Sequence, residues 1–319
     1  MKLSELMDLL RRSQGSVEDM MALKNTLDEA GISLENIYQE LEMSSAYVDS
    51  HRDISFTSTP ITPHSHSFFE LIYCFGCDRV QYLLGGQRYT LQPGDIILIP
   101  PGTSHCPLFP EVMRRPYERI VIWVNEDLVR EFRRRWPLEH SGEARRQFLL
   151  RTAGSVWADP LRDAFLRGCQ ESEQRKPGWE AALYGNTTYL LMQLRRALSE
   201  QQQPTVERNE LLDDLVQYVE NNFREKISLQ STARQLHISE SSITHTFRKR
   251  MGISYYQYVT KRRLSAARKL IEEGTPIASV GELSGFCDHS AFYRVFRREY
   301  GISPREYRDL HMKRYEPGH

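Results

Sequence analysis

The sequence predicts an α+β chain of two domains. The first is a small antiparallel β-barrel or jelly roll with flanking helices, and the second is an all-α domain that holds a helix–turn–helix unit twice. Three observations carry this reading. A chain of 319 residues accommodates two domains at about 150 residues each. Short apolar runs separated by Gly and Pro turns fill residues 51–124, the pattern of a small barrel or double-sheet jelly roll. Residues 239–258 then recur at 288–307 with a constant offset of 49, the mark of an internal duplication.

Taken in order, residues 1–50 form an N-terminal helical extension, with Leu3, Leu6, Leu9 and Leu10 at helical spacing and Gly15 and Gly31 as punctuation. No function attaches to it. Residues 51–124 form the barrel, with strands expected at Phe69–Phe75, Val80–Leu84, Gln87–Leu91, Asp95–Pro100 and Ile120–Val124. Gly85-Gly86 reads as a hairpin turn, and Pro93-Gly94-Asp95 as another turn. Residues 125–200 return to helix, and Leu183, Leu190, Leu191, Leu194 and Leu198 fall on one stripe. That stripe is either covered by the protein's own core or is a dimer face. The Gln-rich stretch 201–209 is a linker, residues 210–311 are the second domain, and 312–319 are a tail.

The duplication pairs Ser239 with Asp288, Ile243 with Phe292, Phe247-Arg248-Lys249 with Phe296-Arg297-Arg298, Gly252-Ile253-Ser254 with Gly301-Ile302-Ser303, and Tyr258 with Tyr307. Ser239 and Asp288 are N-cap types. The shorter helices before them span Leu229–Leu236 and Ile277–Leu283, the latter opened by Thr275-Pro276 as N-cap and first helical residue. Ala233 and Gly281 are small where two helices approach, and Ser303 with Glu306 makes a capping box. Helix–turn–helix units therefore lie at about 229–250 and 277–299, tied by a helix over roughly 255–273. Two such units read two major-groove segments about one DNA turn, ~34 Å, apart.

Charge supports a polyanionic partner for this half only. The chain carries 42 basic and 42 acidic side chains, but from Lys226 onward the count is 17 against 9. Arg248, Lys249, Arg250, Lys261, Arg262, Arg297 and Arg298 are placed to neutralise phosphates. The start is charged and no apolar run approaches the ~20 residues that span a bilayer, so a soluble, cytoplasmic protein with no membrane partner is expected. Five cysteines, an odd number, fit reduced thiols. The Cys74-x-x-Cys77 pair lies in a strand-like run, where two buried thiols are the plain reading and a redox role the alternative.

Residues 210–311 resemble the AraC/XylS-type DNA-binding domain over its whole length. The resemblance rests on Ile227-Ser228-Leu229 through Ala233, Ser239 to Phe247, Ile277-Ala278-Ser279-Val280-Gly281-Glu282-Leu283-Ser284-Gly285-Phe286, Phe292 to Phe296, and Gly301-Ile302-Ser303-Pro304-Arg305-Glu306-Tyr307-Arg308. Gly281 replaces the usual Ala, and His237-Ile238 stands in the first turn where Gly is common. The resemblance implies base-reading positions at Ser241, Thr244 and His245 in the first unit, and at His289, Ser290, Tyr293 and Arg294 in the second. A guanidinium can bond O6 and N7 of guanine together, which singles out Arg294.

His64-Ser65-His66, Glu70 and His105, the last beyond Gly94, Pro100 and Gly102, resemble the two cupin motifs over roughly residues 54–124. Phe109 stands where the second motif ends in Asn. On a strand, His64, His66 and Glu70 would share a face, and His105 would arrive from a second strand. Three imidazoles and a carboxylate could hold Zn, Fe, Mn or Ni. They could equally line a pocket for an organic ligand with Tyr73, Tyr82, Tyr89 and Trp123, or be structural.

The resemblances together imply a ligand-responsive, sequence-specific transcription regulator rather than an enzyme. It would be an activator, of carbohydrate or related metabolism, acting as a homodimer on double-stranded promoter DNA with RNA polymerase and a small-molecule effector. A metal- or redox-responsive regulator is the first alternative, and a metal-dependent cupin enzyme with a DNA-binding tail the second.

Overall fold

The computed structural model describes residues 43, 45–56, 58, 60–136, 148–200 and 210–314. The helices expected in 1–50 lie outside the described residues apart from its last few positions. The strands are β1 (Val48–Ser55), β2 (Phe69–Gly76), β3 (Gln81–Leu84), β4 (Gln87–Thr90), β5 (Ile96–Ile99), β6 (His105–Leu108), β7 (Tyr117–Val124) and β8 (Leu149–Leu150). They form a five-stranded sheet in the order β1-β7-β2-β5-β8 and a three-stranded sheet in the order β4-β3-β6. Every pairing is antiparallel. Gly85 and Gly86 both take positive φ (52° and 87°), as a two-residue primed hairpin turn demands.

Alternation along the strands sorts side chains between two cores. On β2, Leu71 and Tyr73 face outward, into a core with Ile120, Ile122 and Val124 of β7. Ile72 and Cys74 face inward with Tyr82, Leu84, Tyr89, Val121 and Trp123, between the two sheets. The outer core is closed by α1 (Glu126–Arg135), α2 (Ala158–Gln174) and α3 (Trp179–Glu200). Asn125 caps α1 by accepting from the Asp127 amide at 2.7 Å.

Two expectations change here, the limits of the sheet and the direction of Tyr73, and one open alternative, the leucine stripe, is settled. β1 begins at Val48 and β8 lies at 149–150, so the sheet takes residues from segments read as helix. Strand β6, at His105–Leu108, is the second strand from which His105 was expected to arrive. The leucine stripe of α3 is interior: Leu183, Leu190 and Leu194 are buried in the outer core, which leaves them no part in a dimer face. Tyr73 points to that same core rather than into the barrel, because it has the opposite parity from Glu70 on β2.

The C-terminal domain consists of α4 (Leu211–Asn222), α5 (Leu229–Gln235), α6 (Glu240–Met251), α7 (Tyr255–Glu272), α8 (Ile277–Leu283), α9 (His289–Tyr300) and α10 (Pro304–Arg314). Ser239 accepts from the Ser242 amide, and Asp288 from the Ser290 and Ala291 amides, so both recognition helices start as their cap residues require. Pro276, not Thr275, is the N-cap residue of α8; its fixed φ opens the helix without a side-chain cap. A Cβ on Gly281 would stand 3.3 Å from Phe292, the close approach expected there.

The two domains share a core. The outward residues Leu83, Cys106 and Leu108 of the small sheet join Leu212, Leu215, Val216 and Val219 of α4, together with Ile243, Phe247 and Met251 of α6. Beside this apolar seam, Arg88 on β4 is buried between Glu210 (2.6 Å) and Asp213 (3.1 Å), the capping-box residues of α4. Arg250 reaches the other oxygen of Glu210 at 3.0 Å.

Candidate functional site

Among the described residues, one cluster places donor atoms of His66, Glu70 and His105 within 4.8 Å of one another, all three residues buried. Glu70 sits on β2 with the inward parity and His105 opens β6, so the two sheets bring them face to face. His66 arrives from an irregular segment, not from a strand as the spacing suggested; β2 begins only at Phe69. His64 makes a two-way backbone bridge to His105, at 3.1 and 2.9 Å. Its ring lies 4.3 Å from the His105 ring, yet it is not part of the cluster. Of the four residues singled out in sequence, the structure therefore brings three together and holds the fourth alongside.

Each imidazole is oriented by its far nitrogen. Nδ1 of His66 faces the Phe68 carbonyl at 2.8 Å, that of His105 the Thr103 carbonyl at 2.9 Å, and that of His64 the Thr62 carbonyl at 3.1 Å. A carbonyl oxygen only accepts, so Nδ1 carries the proton and Nε2 presents a lone pair. Those lone pairs of His66 and His105 lie 3.2 and 3.1 Å from the same oxygen of Glu70. The other Glu70 oxygen accepts from the Trp123 indole N–H at 3.0 Å.

Three acceptors thus converge with no donor between them, and Nε2 of His105 is a buried atom without a hydrogen-bond partner. Such an arrangement calls for a cation at its centre. Burial, opposed by the contact with Glu70, holds His66 below the usual imidazole range, so a proton is a poor choice. His64 lies well below its ordinary value through burial and then through repulsion from His105. Backbone-anchored imidazoles with inward lone pairs, beside an ionised and oriented carboxylate, fit a divalent transition metal. Around them, Phe68, Tyr82, Tyr117 and Trp123 fill the space between the sheets.

On the other domain, Ser241, Thr244, His245, Arg248 and Lys249 of α6 are exposed, as are His289, Ser290, Arg294, Arg297 and Arg298 of α9. Tyr293 is half-buried with its ring 4.6 Å from His289. Four of the seven basic residues expected on phosphate have protein partners. Arg262 donates to Glu220 at 2.6 Å with its guanidinium over the Phe223 ring. Lys261 donates to Glu299 at 2.6 Å, and Arg250 is held by Glu210. The acidic partners lie on other elements of the domain, a proximity invisible along the chain. Lys249 lies 3.1 Å from Glu111 of the barrel domain. Cys74 and Cys77 are free thiols, with Cys74 buried between the sheets.

The Trp123 contact and the Arg88 cluster were not foreseen.

Comparison with known proteins matches two family models to the chain. The AraC-like ligand binding domain matches residues 55–216, half of the chain, and a helix-turn-helix domain matches 232–309. The chain belongs to the AraC family. Its relatives include the arabinose operon regulatory protein of Escherichia coli, 27% identical over 228 residues that make up 70% of this chain and 74% of that protein. The HTH-type transcriptional activator RhaS of Escherichia fergusonii is 24% identical over 261 residues, 77% of this chain and 86% of RhaS. The probable transcriptional regulator LumQ of Photobacterium leiognathi is 36% identical over 116 residues, and that match spans 36% of this chain and 46% of LumQ. As an AraC-family protein, the chain is a ligand-responsive, DNA-binding transcription regulator. No described helix is long and apolar enough to cross a membrane.

Proposed function

We propose that this AraC-family chain is a transcription activator of the cytoplasm whose effector site is the His66–Glu70–His105 cluster with His64 beside it. The convergence of two imidazole lone pairs and a carboxylate oxygen within 3.2 Å carries this reading. The space between those atoms suits an ion. A divalent metal of the Zn, Fe, Mn or Ni class would be held by His66, Glu70 and His105, and would supply a local positive charge. A sugar-like effector is the second reading, favoured by the arabinose operon regulator and RhaS among the relatives; it requires Tyr82 or Trp123 to make room.

DNA is read by Ser241, Thr244 and His245 of α6 and by His289, Ser290, Tyr293 and Arg294 of α9, with Arg248, Lys249, Arg297 and Arg298 on phosphates. A homodimer and RNA polymerase complete the set of partners. With the leucine stripe buried, the outward face of α3 that carries the exposed Tyr184 and Tyr189 is the candidate dimer surface, which sedimentation of Tyr189→Ser at micromolar concentration tests.

The deciding experiment is elemental mass spectrometry on untagged protein beside His66→Ala and His105→Ala variants. About one metal per chain, lost in both variants, is the expected result. No metal after reconstitution would reject the metal reading and leave the sugar-like one.

A further inference from the structure

The offset of 49 sets Ser241 against Ser290, Thr244 against Tyr293 and His245 against Arg294, so the two recognition helices can be compared residue by residue. Their caps differ. Asp288 caps α9 with a carboxylate that accepts from the Ser290 and Ala291 amides, and the Ser290 hydroxyl stays out of the cap. Ser239 caps α6 with a hydroxyl, which also lies 2.8 Å from the Ser241 hydroxyl and 2.8 Å from that of Ser242. One turn on, the Thr244 hydroxyl donates to the Glu240 carbonyl at 3.0 Å. The hydroxyls of Ser241 and Thr244 are therefore both engaged within their own helix.

A threonine back-bonded in this way has a fixed χ1, and the group it then turns outward is Cγ2, a methyl. Thr244 is exposed, so the methyl is bare. On α9 the same register position is different. Tyr293 is half-buried, edge-on to Phe292 at 5.7 Å and 4.6 Å from the His289 ring, and the exposed residue beside it is Arg294.

We propose that Thr244 is a specificity-determining residue that reads thymine through its C5-methyl group. The operator then holds a thymine under α6 and a guanine, read by Arg294, about one turn away under α9. The proposal rests on the reading of α6 and α9 as the base-contacting helices. In the major groove the thymine methyl is the apolar feature of the base edges. A protein methyl matches it and satisfies none of the donors and acceptors of the other bases. Reading adenine or guanine by hydroxyl would instead require Thr244 to give up its bond to the Glu240 carbonyl.

The test removes single methyl groups from either side of the contact. The full-length chain selects its site from a random duplex library, and deoxyuridine then replaces each thymidine of that site in turn, deleting only the C5-methyl. In the parent, one position about a turn from the guanine that Arg294→Ala relaxes should lose affinity about fourfold, as expected for one methyl-sized contact. Thr244→Val keeps a methyl and drops the hydroxyl; it should bind like the parent and show the same deoxyuridine loss. Thr244→Ser keeps the hydroxyl and drops the methyl. It should lose about fourfold on the thymine duplex and nothing further on the deoxyuridine one, the non-additivity of a direct contact.

A weakened Thr244→Val beside an unchanged Thr244→Ser would overturn the proposal in favour of hydroxyl readout, with α6 still a base reader. Deoxyuridine tolerated at every position would overturn it as well. If no sequence is enriched from the library, the base-reading premise and the proposal fall together.

Discussion

In the first helix–turn–helix unit, Ile243, Phe247 and Met251 of α6 fall in one core with Leu83, Cys106 and Leu108 of the barrel domain. In the second, Phe292 and Phe296 of α9 pack with Leu264, Ala267, Ile271, Ile277 and Val280, all from the DNA-binding domain itself. The same register position is Lys249 beside Glu111 in one unit and an exposed Arg298 in the other. Copies of one motif have thus been given different neighbours. The second is complete within its own domain, and the first borrows its core from the sensor.

The largest effect that tests this contrast is expected in the turns. Gly285 has φ +92°, and an added Cβ would meet the Phe223 carbonyl oxygen at 2.6 Å and Arg224 Cα at 2.7 Å, both backbone atoms. Gly285→Ala should cost about 3 kcal/mol or more. Thermal unfolding followed at α9 and at the barrel should show the loss concentrated in the second unit. A variant that melts within a degree of the parent would show that the turn relaxes.

Next come the proposed base readers at one register position, Arg294 and its counterpart His245. Arg294→Ala should weaken binding to a selected site by ~1–3 kcal/mol while sparing random DNA. His245→Ala should cost less, because an imidazole cannot make the bidentate contact with guanine. Equal losses on selected and random duplexes would return Arg294 to the phosphate backbone.

A smaller difference is expected for the phosphate pair. Arg298→Ala should lower the salt dependence of DNA binding by about one phosphate contact. Lys249→Ala should change it less in effector-free protein, since that ammonium faces Glu111. Affinities measured from low to high KCl decide the matter, and identical slopes for the two variants would mean the docked arrangement does not restrain Lys249.

The smallest expected change is a gain. His237 holds φ +56° in the first turn, a conformation that glycine adopts freely. His237→Gly should therefore stabilise the chain by up to about 1 kcal/mol, read as a rise in Tm. A loss instead would show that the imidazole makes a contact worth more than the strain.

What was legible in the sequence follows from what is local. The hairpin at Gly85-Gly86, the caps at Ser239 and Asp288 and the Ser303–Glu306 box are decided within a few residues, and their chemistry is written in order. Glu70 and His105 could be named because they stand where the two motifs of the cupin resemblance have them. Their true geometry was not accessible, since the irregular path at 64–68 separates His64 from the parity that a strand would have imposed. Arg262 and Lys261 read as phosphate contacts because Glu220 and Glu299 are about forty residues away along the chain and become neighbours only when helices pack. The α3 stripe was ambiguous for a related reason: an apolar face says that something covers it, and only the sheet beneath α3 says what.

Strand β6 is four residues long, and consecutive side chains serve opposite clients. A slip of one residue in its pairing with β3 would send Cys106 into the ligand cluster and His105 into the seam with α4. Ligand preference and domain docking are therefore inherited together on this strand, and neither can drift there without disturbing the other.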